Sequence, residues 1–102
     1  MDRIEFLQSI NYMEGTSIHD ILLSFFDQYM LLYNLVEDVQ NVSIIDTDGF
    51  NIIFQVTYSN TDTANRVVKR IMENPAIHIY ESIYAINVEV VNNTTINISI
   101  MK

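Results

Sequence analysis

The sequence predicts an α+β fold: a two-layer sandwich with one mainly antiparallel sheet of four to five strands and two main helices on one face, in the order α-β-β-α-β-β. Three observations predict it. Residues 17–39, SIHDILLSFFDQYMLLYNLVEDV, carry the densest run of large apolar side chains at helical spacing. Residues 63–73 put Ala64, Val67, Val68, Ile71 and Met72 on a second helical stripe. Four other stretches alternate apolar and polar residues with the period of half-buried strands. Both helices present apolar stripes and each strand has one apolar face, so one shared core between two layers buries them all.

Taken in order, residues 2–13 read as a short helix. Asp2 and Glu5 have capping-box spacing, and Ile4, Leu7 and Ile10 form one stripe. The alternation of Ile4 and Phe6 would also suit a short strand. Residues 1–15 form an N-terminal covering segment of a single domain, 1–102.

Residues 17–39 read as one long helix. Ser17 caps its start, Asp20 sits near the positive end, and Gly15 lets the chain turn into it. At about 100° per residue, Ile18, Ile21, Leu22, Phe25, Tyr29, Leu32 and Val36 share one side. Leu23, Phe26, Met30 and Tyr33 widen that side to an arc of roughly 200°, about twice what a helix on one sheet requires. Something besides the sheet must cover the second strip: the N-terminal segment or another subunit. Asp20, Asp27, Asn34 and Asp38 run nearly in line along the remaining arc, with Leu31 beside them.

Residues 41–46 and 50–59 are strands. Placing Val42 and Ile44 on the face of Ile52 and Phe54 makes Asp46 oppose Phe50, with a three-residue Thr47-Asp48-Gly49 loop and Gly49 left-handed. Residues 59–62 form a loop that caps the second helix, which Asn74-Pro75 stops. Arg66, Lys69 and Arg70 lie on its outer face. A short extended piece, 77–80, precedes strands 82–91 and 95–101. Matching their faces sets Val90 opposite Ile96 across an Asn92-Asn93-Thr94 loop, with Asn93 or Thr94 in the strained position. The sheet's other face is polar: Asn51, Gln55, Thr57, Asn87, Glu89, Thr95, Asn97 and Ser99.

Composition narrows the function classes. A chain of 102 residues makes one domain, and its 49% apolar content argues against disorder. Without cysteine there is neither a disulfide nor thiolate chemistry, which fits a reducing, cytoplasmic setting. The start MDRIEFLQS lacks the pattern of a signal peptide, and Asp20 and Asp27 interrupt the best apolar run well short of the ~18 residues of a membrane span. A net charge of −8 repels phosphate backbones and anionic membranes and favours basic partners. Acidity of this kind also serves solubility alone. The Ile- and Asn-rich composition suggests an AT-rich coding sequence from a low-GC bacterium or its phage.

No residue pattern carries catalysis, a metal or a cofactor. In Asp46-Thr47-Asp48-Gly49 the glycine comes fourth and no Glu follows, so a hairpin turn explains it better than a calcium loop. Gly15 and Gly49, the only glycines, cannot build a phosphate loop. His19 and His78 have no nucleophile–base–acid spacing around them. The polar sheet face lacks the exposed aromatics and bases of a nucleic-acid platform.

The expectation is therefore a non-enzymatic, acidic protein-binding domain, of the kind phages and mobile elements use to block a basic nucleic-acid-handling surface of a host defence protein. That comparison rests on size, charge and codon bias. The electrostatic contacts expected are Asp20, Asp27, Glu37, Asp38, Asp46 and Asp48. A self-assembling phage or mobile-element component is the alternative, associating through Leu23, Phe26, Met30 and Tyr33. A third reading is a small-molecule site near His78, Tyr80 or Glu89.

Overall fold

Alternating sequence becomes one antiparallel sheet of five strands: β1 (Val39–Asp48), β2 (Asn51–Tyr58), β3 (Ala76–Ile79), β4 (Ser82–Val90) and β5 (Thr95–Met101), in the order β1-β2-β5-β4-β3. The structure, a computed structural model, describes residues 1–31, 34–49 and 51–102. Three α-helices accompany the sheet: α1 (Arg3–Ser9), α2 (Ser17–Phe25) and α3 (Thr61–Glu73). The two-layer α+β architecture is the one the apolar periodicities predict. The C-terminal strand is the central one, and Ile96, Ile98 and Ile100 on it are fully buried. Beside them Ile52, Phe54, Val56 and Tyr58 of β2 face the same core, as do Tyr84 and Ile86 of β4.

The first helix begins where Asp2 accepts the Glu5 N–H at 2.8 Å. α2 is capped by Thr16 rather than Ser17: the Thr16 hydroxyl accepts the His19 N–H at 3.0 Å. The expected single helix over residues 17–39 is not what forms. After Phe25 the chain widens into a π turn, Phe26–Met30, closed by the Leu31 N–H donating to the Phe26 carbonyl. Asn34 then takes the left-handed conformation at φ +54°, and a 3-10 turn, Leu35–Asp38, feeds β1. Asparagine is one of the few non-glycine residues that tolerate that conformation, so the chain can turn at Asn34 without a glycine. Leu35 and Val36 remain buried, in this turn instead of on a helix face.

The π turn anchors the far side of the domain. The Tyr29 hydroxyl donates to the Asn74 carbonyl and lies 3.2 Å from that of Ala76, while Gln28 Nε2 reaches the Ala76 carbonyl at 3.5 Å. Burial raises the Tyr29 hydroxyl above the ordinary phenol range, against the opposing pull of Arg70 and the Ala76 carbonyl contact. Phe25 stands edge-on to Phe54, with centroids 5.0 Å apart and planes at 81°, which joins α2 to the sheet. On the other side of the rod Phe6 of α1 packs on Phe26 at 5.4 Å, and Phe26 and Met30 are fully buried. Within the second apolar strip, Phe26 is thus covered by Phe6 of α1 in the same chain.

The first hairpin differs from the expected register. Val42 opposes Val56, Ile44 opposes Phe54, and Ile45 is bulged out so that Asp46 faces Ile53. Asp48 pairs with Asn51, so Thr47 and Asp48 belong to the strand, and Gly49 takes φ +60°. Phe50, on which the expected pairing with Asp46 fell, lies outside the described residues. The bulge supplies the one-residue shift needed to keep Val42 and Ile44 on the core face with a shorter turn. In the second hairpin Val90 does oppose Ile96. No left-handed residue is used there: the Asn92 side chain accepts the N–H groups of Thr94 and Thr95 at 3.0 Å each.

Asn60 caps α3 through the Thr63 N–H at 2.8 Å. Ala64, Val67 and Ile71 are buried as the stripe requires, but Met72, at its edge, is 72% exposed and borders an open hollow beside β4.

Candidate binding surfaces

The surfaces left open once the core is filled include the uncovered sheet face, a groove between α1 and α2, and a polar hollow where α2 meets β3. On the sheet face, register places Gln55 beside Asn97 and Thr57 beside Thr95, joined by side-chain hydrogen bonds of 2.9 and 3.2 Å. Asp46 and Asp48 lie on this face in β1 and Glu89 in β4, and the five strands carry no Lys or Arg. Towards one end the face also exposes Ile83 and Met101, which the polar alternation alone did not suggest.

The hollow at β3 has a volume of about 330 Å³ and is lined by Asp20 and Ser24 of α2, by Asp27 of the π turn, by His78 and Tyr80, and by Arg3. Arg3 pairs with Asp27 at 3.1 Å. Tyr80 stands in the two-residue turn between Ile79 and Ser82 at φ +54°, 91% exposed. The groove between α1 and α2 is larger, about 570 Å³, and more apolar. Phe26 and Leu7 form its floor, Ile4, Leu23 and Leu31 its walls, and Asp2 and Glu14 its rim, with the largely buried His19 also lining it.

The six carboxylates singled out from the sequence do not form one surface. Asp20 and Asp27 border β3, at one edge of the sheet, whereas Asp46 and Asp48 lie on β1 at the other. Glu37 is exposed in the 3-10 turn. Asp38 serves the fold: Thr63 Oγ1 donates to it at 2.5 Å and Ser59 Oγ at 3.3 Å, tying the start of β1 to the start of α3. The Thr63 hydrogen bond, with further help from Asn60 and Ser59 and from the charge of Arg66, holds the Asp38 carboxyl below the usual range. Of the strip Leu23, Phe26, Met30 and Tyr33, Phe26 and Met30 are closed inside the chain and Tyr33 lies outside the described residues. Leu23 alone is placed at the surface, where it is half-buried.

The groove was missed in the sequence because its walls come from two helices. The sequence sets Ile4 on a stripe with Leu7 and Ile10, yet Ile4 is 66% exposed, and only packing brings it and Leu31 to one hollow. A small basic patch also exists on α3, where Arg66, Lys69, Arg70 and Glu73 line a hollow of about 330 Å³. Lys69 and Glu73 are 4.0 Å apart, a weak exposed pair. Among the described residues no three His, Asp or Glu side chains converge as a metal site requires, and no helix is long and apolar enough to cross a membrane. Comparison with protein-family models, curated proteins and solved structures finds no match.

Proposed function

We propose that this chain is a non-enzymatic, acidic protein-binding domain that occupies a basic, nucleic-acid-handling surface of its partner. The setting we propose is the cytoplasm of a low-GC bacterium, with a phage or mobile element as the source and a host defence protein as the target. The observation that carries the reading is the segregation of charge. Helix α3 holds three of the five basic residues, while the rest of the chain carries eleven acids against two bases. A field so one-sided speeds encounter with cationic surfaces and opposes nucleic acid and anionic lipid. The uncovered sheet face adds a broad polar platform with carboxylates at Asp46, Asp48 and Glu89.

Capture by the immobilised chain from a low-GC bacterial lysate tests this. The expected partner binds nucleic acid, is displaced by competing DNA and is released by high salt. Its affinity drops when Asp46→Asn, Asp48→Asn and Glu89→Gln are combined. No captured protein, or one indifferent to salt and DNA, removes the proposal.

A further inference from the structure

We infer that the groove between α1 and α2 is a docking site for an amphipathic helix whose apolar face is flanked by basic residues, supplied by a partner protein. The inference deepens the acidic protein-binding reading and rests on it for the class of partner. Its starting point is an anomaly of packing. Ile4 is 66% exposed and Leu31 46%, yet both border the same concavity instead of standing apart on the surface. Between them lie Leu7, Leu23 and Phe26, so five apolar side chains converge on about 570 Å³, within the range of pockets that hold specific ligands. Two helices already form the trough, and a third can lay a ridge of i, i+3, i+4 and i+7 side chains into it.

Charge selects the occupant. Asp2 and Glu14 stand on the rim of the groove. Leu23 and Arg3 line both the groove and the neighbouring polar hollow, so the apolar trough runs directly into the side that carries Asp20 and Asp27. Arg3, the one cation lining either cavity among the described residues, is paired with Asp27 at 3.1 Å. The complement is an apolar stripe bordered by Lys or Arg. A second copy does not supply it: its one helix with flanking basic residues, α3, keeps Ala64, Val67 and Ile71 buried in its own core, and two copies would meet acid to acid.

The test uses the full chain and two synthetic peptides of about 18 residues, enough for about five helical turns. Both have the same lysine and leucine content. One places leucine at i, i+3, i+4 and i+7, and the other scatters it. Titration is followed by amide chemical shifts. Ordered leucine should bind roughly tenfold more tightly or better, with shifts at Ile4, Leu7, Leu23 and Leu31. That preference should vanish in Ile4→Gln and Leu31→Gln, both at exposed positions. Shift mapping on the unaltered chain decides the matter even if a variant loses stability. Equal binding of both peptides, with shifts spread over Asp46, Asp48 and Glu89, overturns the groove and leaves the acidic-binding reading standing. Binding of neither peptide at low salt overturns both.

Discussion

Tyr80 takes a backbone conformation that most L side chains avoid, and it does so in the open, where no packing recovers the cost. A bulky residue with positive φ is disfavoured by about 1–2 kcal/mol. Tyr80→Asn should therefore raise stability by about 1 kcal/mol in urea denaturation. A fall in the midpoint would show that the ring makes a contact worth more than the strain. The buried Tyr58 hydroxyl poses the opposite problem, since it finds no hydrogen-bond partner among the described residues. An orphaned buried polar group costs about 1–3 kcal/mol, so Tyr58→Phe should leave the melting temperature unchanged or raise it. Burial also pushes the Tyr58 pKa up. The native state therefore keeps a proton that the unfolded chain gives up near pH ~10, and stability falls as pH rises beyond that point. Tyr58→Phe should move the alkaline unfolding midpoint upward, whereas an unshifted midpoint would assign the alkaline limb to other groups.

At the scale of elements, α1 is a short helix that buries Phe6 and Leu7, with the Phe6 ring its largest buried group. Phe6→Ala opens the cover over Phe26 and should cost about 3–5 kcal/mol, the usual range for emptying a buried aromatic site. Arg3→Ala breaks an exposed ion pair and should cost less than about 1 kcal/mol. Chemical denaturation of both variants separates packing from charge as the fastener of this segment, and equal losses would contradict the assignment. The strands after β1 and helix α3 were legible because their apolar period is regular and the α3 cap is ordinary. The π turn and the break at Asn34 were not, because Leu35 and Val36 continue an apolar pattern that helix and turn bury equally well. Two neighbouring isoleucines, Ile44 and Ile45, were a trace of the bulge, since an alternating strand has no place for both on one face. The groove had no comparable trace, because no local pattern reports how two helices cross.

For the whole molecule, pH acts through two channels of opposite sign. Acidification from neutrality reduces a net charge of −8 and relieves self-repulsion as the pI of about 4.3 is approached. Asp38 then reverses the trend. Its carboxyl is held below the usual range, so its contribution is complete above about pH 4 and is lost as pH falls through its lowered folded value. Thr63→Val removes the largest cause of that lowering; it should lower stability throughout the range above about pH 4 and bring the acid unfolding midpoint to higher pH, while the slope of the alkaline limb stays the same. An unchanged acid midpoint would show that Asp38 is not the clasp between β1 and α3.

Both rims of the sheet are also blunted. β3 spans only Ala76–Ile79, and β1 is interrupted by the extra residue at Ile45 and carries Asp46 and Asp48 along its length. A chain that is 49% apolar and built on strands would otherwise be a ready seed for fibrils. With one border short and the other kinked and charged, copies emerging side by side from a polysome meet no long straight template on which to stack.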